Sequence, residues 1–76
     1  AERDPKTRLQ EWAQARGTVL PRYELLGQEG PAHAPVFVVQ VILPDGRAAK
    51  GQGSNKRLAE QAAALALLEM VELKND

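Results

Sequence analysis

The chain has no cysteine, and its 76 residues include one tryptophan, one tyrosine, one phenylalanine and one histidine. Without cysteine there is neither a disulfide framework nor a thiolate zinc site, so packing alone must hold the fold, and a reducing compartment is permitted. A lone histidine has no second imidazole or thiol at ligand spacing, which argues against the common histidine-based metal sites, and without cysteine there is no thiol nucleophile. Long hydrophobic runs are also missing. The two longest apolar stretches, residues 36–43 and 62–68, fall well short of the ~20 residues a membrane-spanning helix needs. No basic, apolar and small-residue order marks a secretory signal at the N-terminus. Charge of one sign is lacking too, with ten Lys and Arg against ten Asp and Glu. Taken together, these absences leave a small soluble globular domain whose core contributes ~3 to 5 kcal/mol.

What is present is unevenly placed. Residues 47–57 hold four cations (Arg47, Lys50, Lys56 and Arg57) and no acid, while Glu69, Glu72 and Asp76 make the far end acidic. Within the basic part, residues 51–64 read GQGSNKRLAEQAAA: a glycine-punctuated strand end, a cap, two adjacent cations and an alanine-rich helix start. A helix N-terminus carries about half a positive charge, so cations in its first turn are misplaced unless an anion meets them. With four unpaired N–H groups beside two cations, this helix start suits phosphate. Two ordinary solvated side chains remain the alternative for Lys56 and Arg57.

The other elements follow in order. Asp4-Pro5 marks a helix start, with Asp4 as cap and Pro5 at the first position, where its missing N–H costs nothing. Leu9, Trp12 and Ala13 fall on one side of that helix, Thr7, Gln10, Glu11 and Gln14 on the other, and Gly17 ends it. Residues 21–26 read as a first strand with Tyr23 and Leu25 on one face, and residues 27–35, with two glycines, two prolines and the only histidine, as a loop. Residues 36–43 form the strongest strand, with Phe37, Val39 and Val41 inward. The turn Pro44-Asp45-Gly46 reverses the chain into a third strand over residues 47–52. A last helix, residues 55–73, starts at a Ser54 or Asn55 cap and buries Ala59, Ala62, Ala63, Ala66, Leu67 and Met70. The resulting fold class is α+β, an α-β-β-β-α order with two helices on one face of a three-stranded antiparallel sheet.

These residues resemble a known family. The order of elements, the run Gly51-Gln52-Gly53-Ser54-Asn55-Lys56-Arg57-Leu58-Ala59 and the loop Gly30-Pro31-Ala32-His33 are similar to the double-stranded RNA-binding domain. More narrowly, Asp4-Pro5-Lys6-Thr7 with Gln10-Glu11, the Gly-Pro-x-His loop and Ala59-Glu60-Gln61-Ala62-Ala63-Ala64 resemble the C-terminal domain of bacterial ribonuclease III. The resemblance implies a domain at residues 4–73, a linker end at 1–3 and a tail at 74–76. It further implies that Thr7, Gln10 and Glu11 face one minor groove and that Gly30, Pro31, Ala32 and His33 enter the next. Ser54, Asn55, Lys56 and Arg57, with Lys50 nearby, would lie on the phosphates between, over a footprint of about 16 base pairs read by shape. Asn55 departs from the serine common in the family, though either residue can cap or donate to phosphate. The implied partner is double-stranded RNA, with no membrane and no cofactor in this domain. The domain itself would be a monomer, while the parent enzyme would be a cytoplasmic, Mg²⁺-dependent homodimer joined through a nuclease domain not contained in these residues.

The chemistry supports those roles on its own terms. A-form RNA has a wide, shallow minor groove lined by 2′-hydroxyls, which Gln10 and Glu11 suit better than cations would. A carboxylate near phosphates is otherwise repelled, so Glu11 makes sense as an acceptor for a 2′-OH. His33 can donate from a ring nitrogen in either charge state. Trp12 and Tyr23 lie on apolar faces and read as core rather than base-stacking platforms. Catalysis by this chain is not expected: its acids are scattered, and it lacks a Gly-Lys-Ser/Thr phosphate loop or a third glycine after Gly51 and Gly53. A protein-interaction or dimerisation module on the same fold, favoured by the neutral net charge, and the double-stranded RNA-binding domain of another RNA-binding protein are the alternatives.

Overall fold

The computed structural model describes residues 3–17 and 20–73. Of the linker expected at 1–3 only Arg3 falls within it, and the tail at 74–76 lies outside the described residues. The elements run α1 (Pro5–Ala15), β1 (Arg22–Glu29), β2 (Val36–Ile42), β3 (Ala48–Gly53) and α2 (Lys56–Leu73). The strands form one antiparallel sheet in the order β1-β2-β3.

Each boundary has a local cause. Asp4 caps α1, its Oδ1 accepting from Thr7 N–H at 2.9 Å, and Gly17 closes the helix with φ +70°. In the β2–β3 turn Gly46 N–H donates to Leu43 O at 2.9 Å, and Gly46 takes φ +97°, which a side chain would resist. Asn55, not Ser54, caps α2: its Oδ1 accepts from Leu58 N–H at 2.8 Å and its backbone O from Ala59 N–H at 3.0 Å.

The core forms between α2, the inner face of β2 and one side of α1. Leu9, Val39, Val41, Leu43, Ala59, Ala63, Ala64, Leu67, Leu68 and Val71 are buried in one cluster, with Trp12, Tyr23, Phe37, Ala49 and Met70 packed partly buried against it. The inward row expected on β2 is therefore found, while two expectations need correction. The buried stripe of α2 is rotated: Ala62, Ala66 and Met70 are only half-buried, and Ala64, Leu68 and Val71 take their places. α2 packs on β2 and β3 with one side and on α1 with another, so its apolar surface is turned to serve both. β1 also continues through Gly27, Gln28 and Glu29, which composition assigned to the loop. A bulge between Leu25 and Gly27 shifts the register and lets the polar end pair on to Glu29↔Val36. Leu25 shares a face with Tyr23, the two pairing with Val39 and Val41, yet it is 50% exposed, and Leu26 47%.

Gly51 and Gly53 set the height of α2 above the sheet. A Cβ on Gly51 would stand 2.5 Å from the Ala62 carbonyl carbon and collide with Ala63 N. The helix backbone thus rests almost directly on β3, which explains why its contact face is alanine rather than leucine. No helix of the described residues is long and apolar enough to cross a membrane.

Candidate nucleic-acid interface

The β1–β2 loop and the N-terminal part of α1 both lie beside the start of α2. At the centre is the first turn of α2, which contains no acidic residue. Asn55 occupies Leu58 N–H, whereas the N–H groups of Lys56 and Arg57 have no partner among the described residues. Their side chains are equally open. Arg3, Lys6, Arg8, Arg22 and Arg47 each pair with a carboxylate, and Arg16 stacks on Trp12 at 4.1 Å; Lys50, Lys56 and Arg57 make no ion pair with another described residue. A cation that is free, exposed and beside open N–H groups keeps its field for a ligand.

On one flank lies the β1–β2 loop. Gly30 takes φ +84°, and a Cβ there would meet Ala34 O at 2.9 Å. Ala34 N–H donates to Pro31 O at 3.0 Å, folding Pro31, Ala32 and His33 into a tight exposed turn. Because β2 begins where β3 ends, with Phe37 paired to Gly53, this turn stands next to the approach to α2. His33, Gln52, Gly53 and Ser54 line one open cavity there.

On the other flank α1 lies against α2. Thr7 and Gln10 share a cavity of about 420 Å³ with Asp4, Lys6, Tyr23 and Gln61. Asp4 also feels Arg57, although hydrogen bonds from Thr7 do most to hold its carboxyl below the ordinary carboxylate value. Tyr23 is pushed up to about 12, first by burial and then by the charges of Glu60 and Asp4, so its hydroxyl keeps its proton. Glu11 is exposed and its Oε1 lies 3.3 Å from Arg3 Nε.

Two cations differ from the sequence expectation. Lys50 has the opposite strand parity to Ala49 and Gly51, so it stands on the open face of the sheet, away from the α2 turn. Arg47 leaves the basic cluster altogether: Nε and a terminal nitrogen bind Asp45 Oδ2 at 2.9 and 2.8 Å, and its guanidinium lies 5.4 Å from the Trp12 ring centre. Sequence reasoning assigned no role to Lys6 or Gln61, which join the two helices: Lys6 N–H donates to Gln61 Oε1 at 3.1 Å, and Lys6 Nζ to Glu60 Oε1 at 2.8 Å. A separation of more than fifty positions hides that contact from any local pattern.

A helix-flanked sheet with an open, cationic helix N-terminus between two hydrogen-bonding flanks is the architecture of a nucleic-acid-binding module. Residues 5–71 match the double-stranded RNA binding motif family, and the chain belongs to that family. The first dsRBD of protein HYL1 is 43% identical, with a TM-score of 0.67 over 88% of this chain and 96% of that one. DRB4 dsRBD2 is 36% identical, with a TM-score of 0.60 over 93% and 96%. Among curated relatives, Ribonuclease 3 of Rhodobacter capsulatus is 61% identical over 70 residues, 92% of this chain and 31% of that protein. Ribonuclease 3 of Ruegeria pomeroyi is 57% identical over the same shares. The chain thus spans about 31% of the length of these relatives.

Proposed function

We propose that this chain is the part of a ribonuclease III that captures double-stranded RNA and delivers it to a nuclease domain, which cuts it during processing of ribosomal and messenger precursors. The observation that carries this reading is the sorting of the cations. Five are neutralised by carboxylates, and Lys56 and Arg57 stand free where the α2 dipole and two open N–H groups also point. Phosphates on this turn would give sequence-independent, salt-sensitive affinity, and Ser54 and Asn55 would add donors beside them. Thr7, Gln10 and Glu11 would read 2′-hydroxyls on one side, and Gly30, Pro31, Ala32 and His33 on the other, so that an A-form duplex is recognised by groove spacing. Lys50, on the open sheet face, would act through its field at the margin.

Cleavage would belong to the rest of the enzyme, for which the relatives' name, Ribonuclease 3, gives the support; that this enzyme is an Mg²⁺-dependent, homodimeric, cytoplasmic nuclease is what the family resemblance implies. Among the described residues the acids do not gather into a group that could hold Mg²⁺. Glu11, Glu24, Asp45, Glu60 and Glu72 are each engaged by a cation, and Asp4 caps α1.

An NMR titration with an RNA duplex of arbitrary sequence, long enough for the footprint of about 16 base pairs, tests the reading. Shift changes confined to residues 7–14, 30–34 and 54–57 are expected. No change, or changes on the open face of the sheet alone, would overturn it in favour of a protein-interaction module.

A further inference from the structure

We infer that Lys6, Glu60 and Gln61 form a clasp that fixes the hydrogen-bonding stripe of α1 at a set distance from the phosphate-facing turn of α2, with Gln61 as the positioning residue. The inference rests on the reading above and concerns how its parts are held together.

The two helices treat their N-terminal N–H groups in opposite ways. At α1 every one is accounted for: Pro5 has none, Lys6 donates to Gln61 Oε1 at 3.1 Å, Thr7 to Asp4 Oδ1 at 2.9 Å and Arg8 to Asp4 O at 3.0 Å. One of these caps comes from another helix, 55 positions away in the chain. At α2 the Lys56 and Arg57 N–H groups are left open. One helix start is therefore closed by the protein and the adjacent one kept for a ligand. The residue that closes the first, Gln61, lies one helical turn beyond Arg57 in the second.

The ion pair beside it serves the same end. Glu60 is one turn from Arg57 and its side chain is only 17% exposed, so its charge, left alone, would oppose phosphate binding at that turn. Lys6 Nζ sits 2.8 Å from Glu60 Oε1 and 4.7 Å from the centre of the Tyr23 ring, which cancels that charge and keeps Lys6 from competing for the ligand. Ion pairs of this exposure hold geometry weakly, whereas the directional bond from a backbone N–H to a half-buried amide fixes the angle of approach. Thr7 and Gln10 project from the helix so anchored, beside the cavity that Gln61 lines. Loosening the anchor should misplace the stripe that reads 2′-hydroxyls and leave the phosphate cations where they are.

The test compares Gln61→Met, which removes the acceptor at similar length, with Gln61→Glu, which keeps it. Affinity for an RNA duplex and for a DNA duplex of the same sequence is measured by fluorescence anisotropy across a salt series, well below each variant's unfolding midpoint. Gln61→Met should weaken RNA binding about two- to tenfold, the worth of one or two misaligned hydrogen bonds, with DNA affinity and salt slope unchanged. The added charge of Gln61→Glu weakens both duplexes alike, so its RNA-to-DNA ratio should stay at the parent value. If Gln61→Met fails to fold, Gln61→Asn, whose shorter side chain withdraws the acceptor, is measured in the same way. An unchanged ratio in the variant lacking the acceptor, or equal loss for both duplexes, would overturn the clasp. Failure of the broader reading is seen separately, as unchanged RNA affinity in Lys56→Ala/Arg57→Ala.

Discussion

A Cβ added to Gly53 would stand 2.5 Å from the backbone nitrogen of Ala59, so the first turn of α2 rests on the end of β3 with no room for a side chain between them. The height of the proposed phosphate-binding turn above the sheet is set by this contact. Gly53→Ala should lower stability by ~1 to 3 kcal/mol through overpacking against backbone that cannot rotate away. Gly51→Ala should do at least as much. Gly27→Ala, with nothing within 4 Å of the added carbon, serves as control and should change little. Thermal unfolding decides it, with a drop of roughly 4 to 8 °C per kcal/mol for a domain of this size. Midpoints equal to that of the parent chain would show that α2 can lift off the strand freely.

Those two glycines mark what the sequence made legible and what it did not. Helix α1 could be bounded from Asp4-Pro5 and Gly17, and β2 from its β-branched run, because caps, turns and side-chain alternation act between near neighbours. The tail of β1 was hidden. Gly27, Gln28 and Glu29 look like loop residues, and they extend the strand only because the bulge beside Leu25 lets them pair with Val38, Phe37 and Val36. The rotation of α2's buried face was hidden for a similar reason, since Ala64 and Leu68 are chosen over Ala62 and Ala66 by a helix from the other end of the chain. For the candidate site, residue types single out elements from local pattern, but which cations are free does not follow from local spacing. Lys6 is neutralised by a carboxylate 54 positions away, and Arg47 by its neighbour Asp45, while Lys56 and Arg57 are left open.

Free cations should be measurable as released counterions. Lys56→Ala and Arg57→Ala should each weaken binding to RNA duplexes of any sequence and each reduce the slope of log K against log salt by about one unit. Lys50→Ala should reduce it less. Arg47→Ala, in which the lost cation was already paired, should leave the slope unchanged. Filter binding at several salt concentrations separates these outcomes, and an unaltered slope in the Lys56, Arg57 double variant would remove the phosphate role.

Glu11 should behave in the opposite sense to a charge near phosphates. If its carboxylate accepts from a 2′-OH, Glu11→Ala loses affinity for an RNA duplex, by about two- to twentyfold for one charge-assisted hydrogen bond, and gains or holds affinity for DNA. Its partner Arg3 is no obstacle, since both side chains are about half exposed or more and a pair of that kind contributes ~0 to 1 kcal/mol. Arg3→Ala should therefore leave the RNA-to-DNA preference intact. Equal loss for both duplexes in Glu11→Ala would remove its assignment to the sugar hydroxyl.

The cap of α1 should make the domain sensitive to acid in one direction only. Hydrogen bonds from Thr7 hold the Asp4 carboxyl below its ordinary value of 3.8 in the folded chain, while the unfolded chain leaves it there. A carboxylate depressed by folding stabilises above its unfolded value and loses that contribution as pH falls through the folded one. Asp45, lowered by Arg47, acts in the same sense, so removing Asp4 alone leaves part of the acid response. Asp4→Asn keeps an oxygen that can accept from Thr7 N–H but can neither ionise nor favour the helix dipole. The variant should be the less stable of the two at neutral pH, and the gap should narrow as the solution is taken down toward about pH 2 and the parent carboxyl takes up its proton. Urea unfolding followed at both pH values measures the gap; one of constant size would mean that the Asp4 charge plays no part in holding the helix that carries Thr7, Gln10 and Glu11.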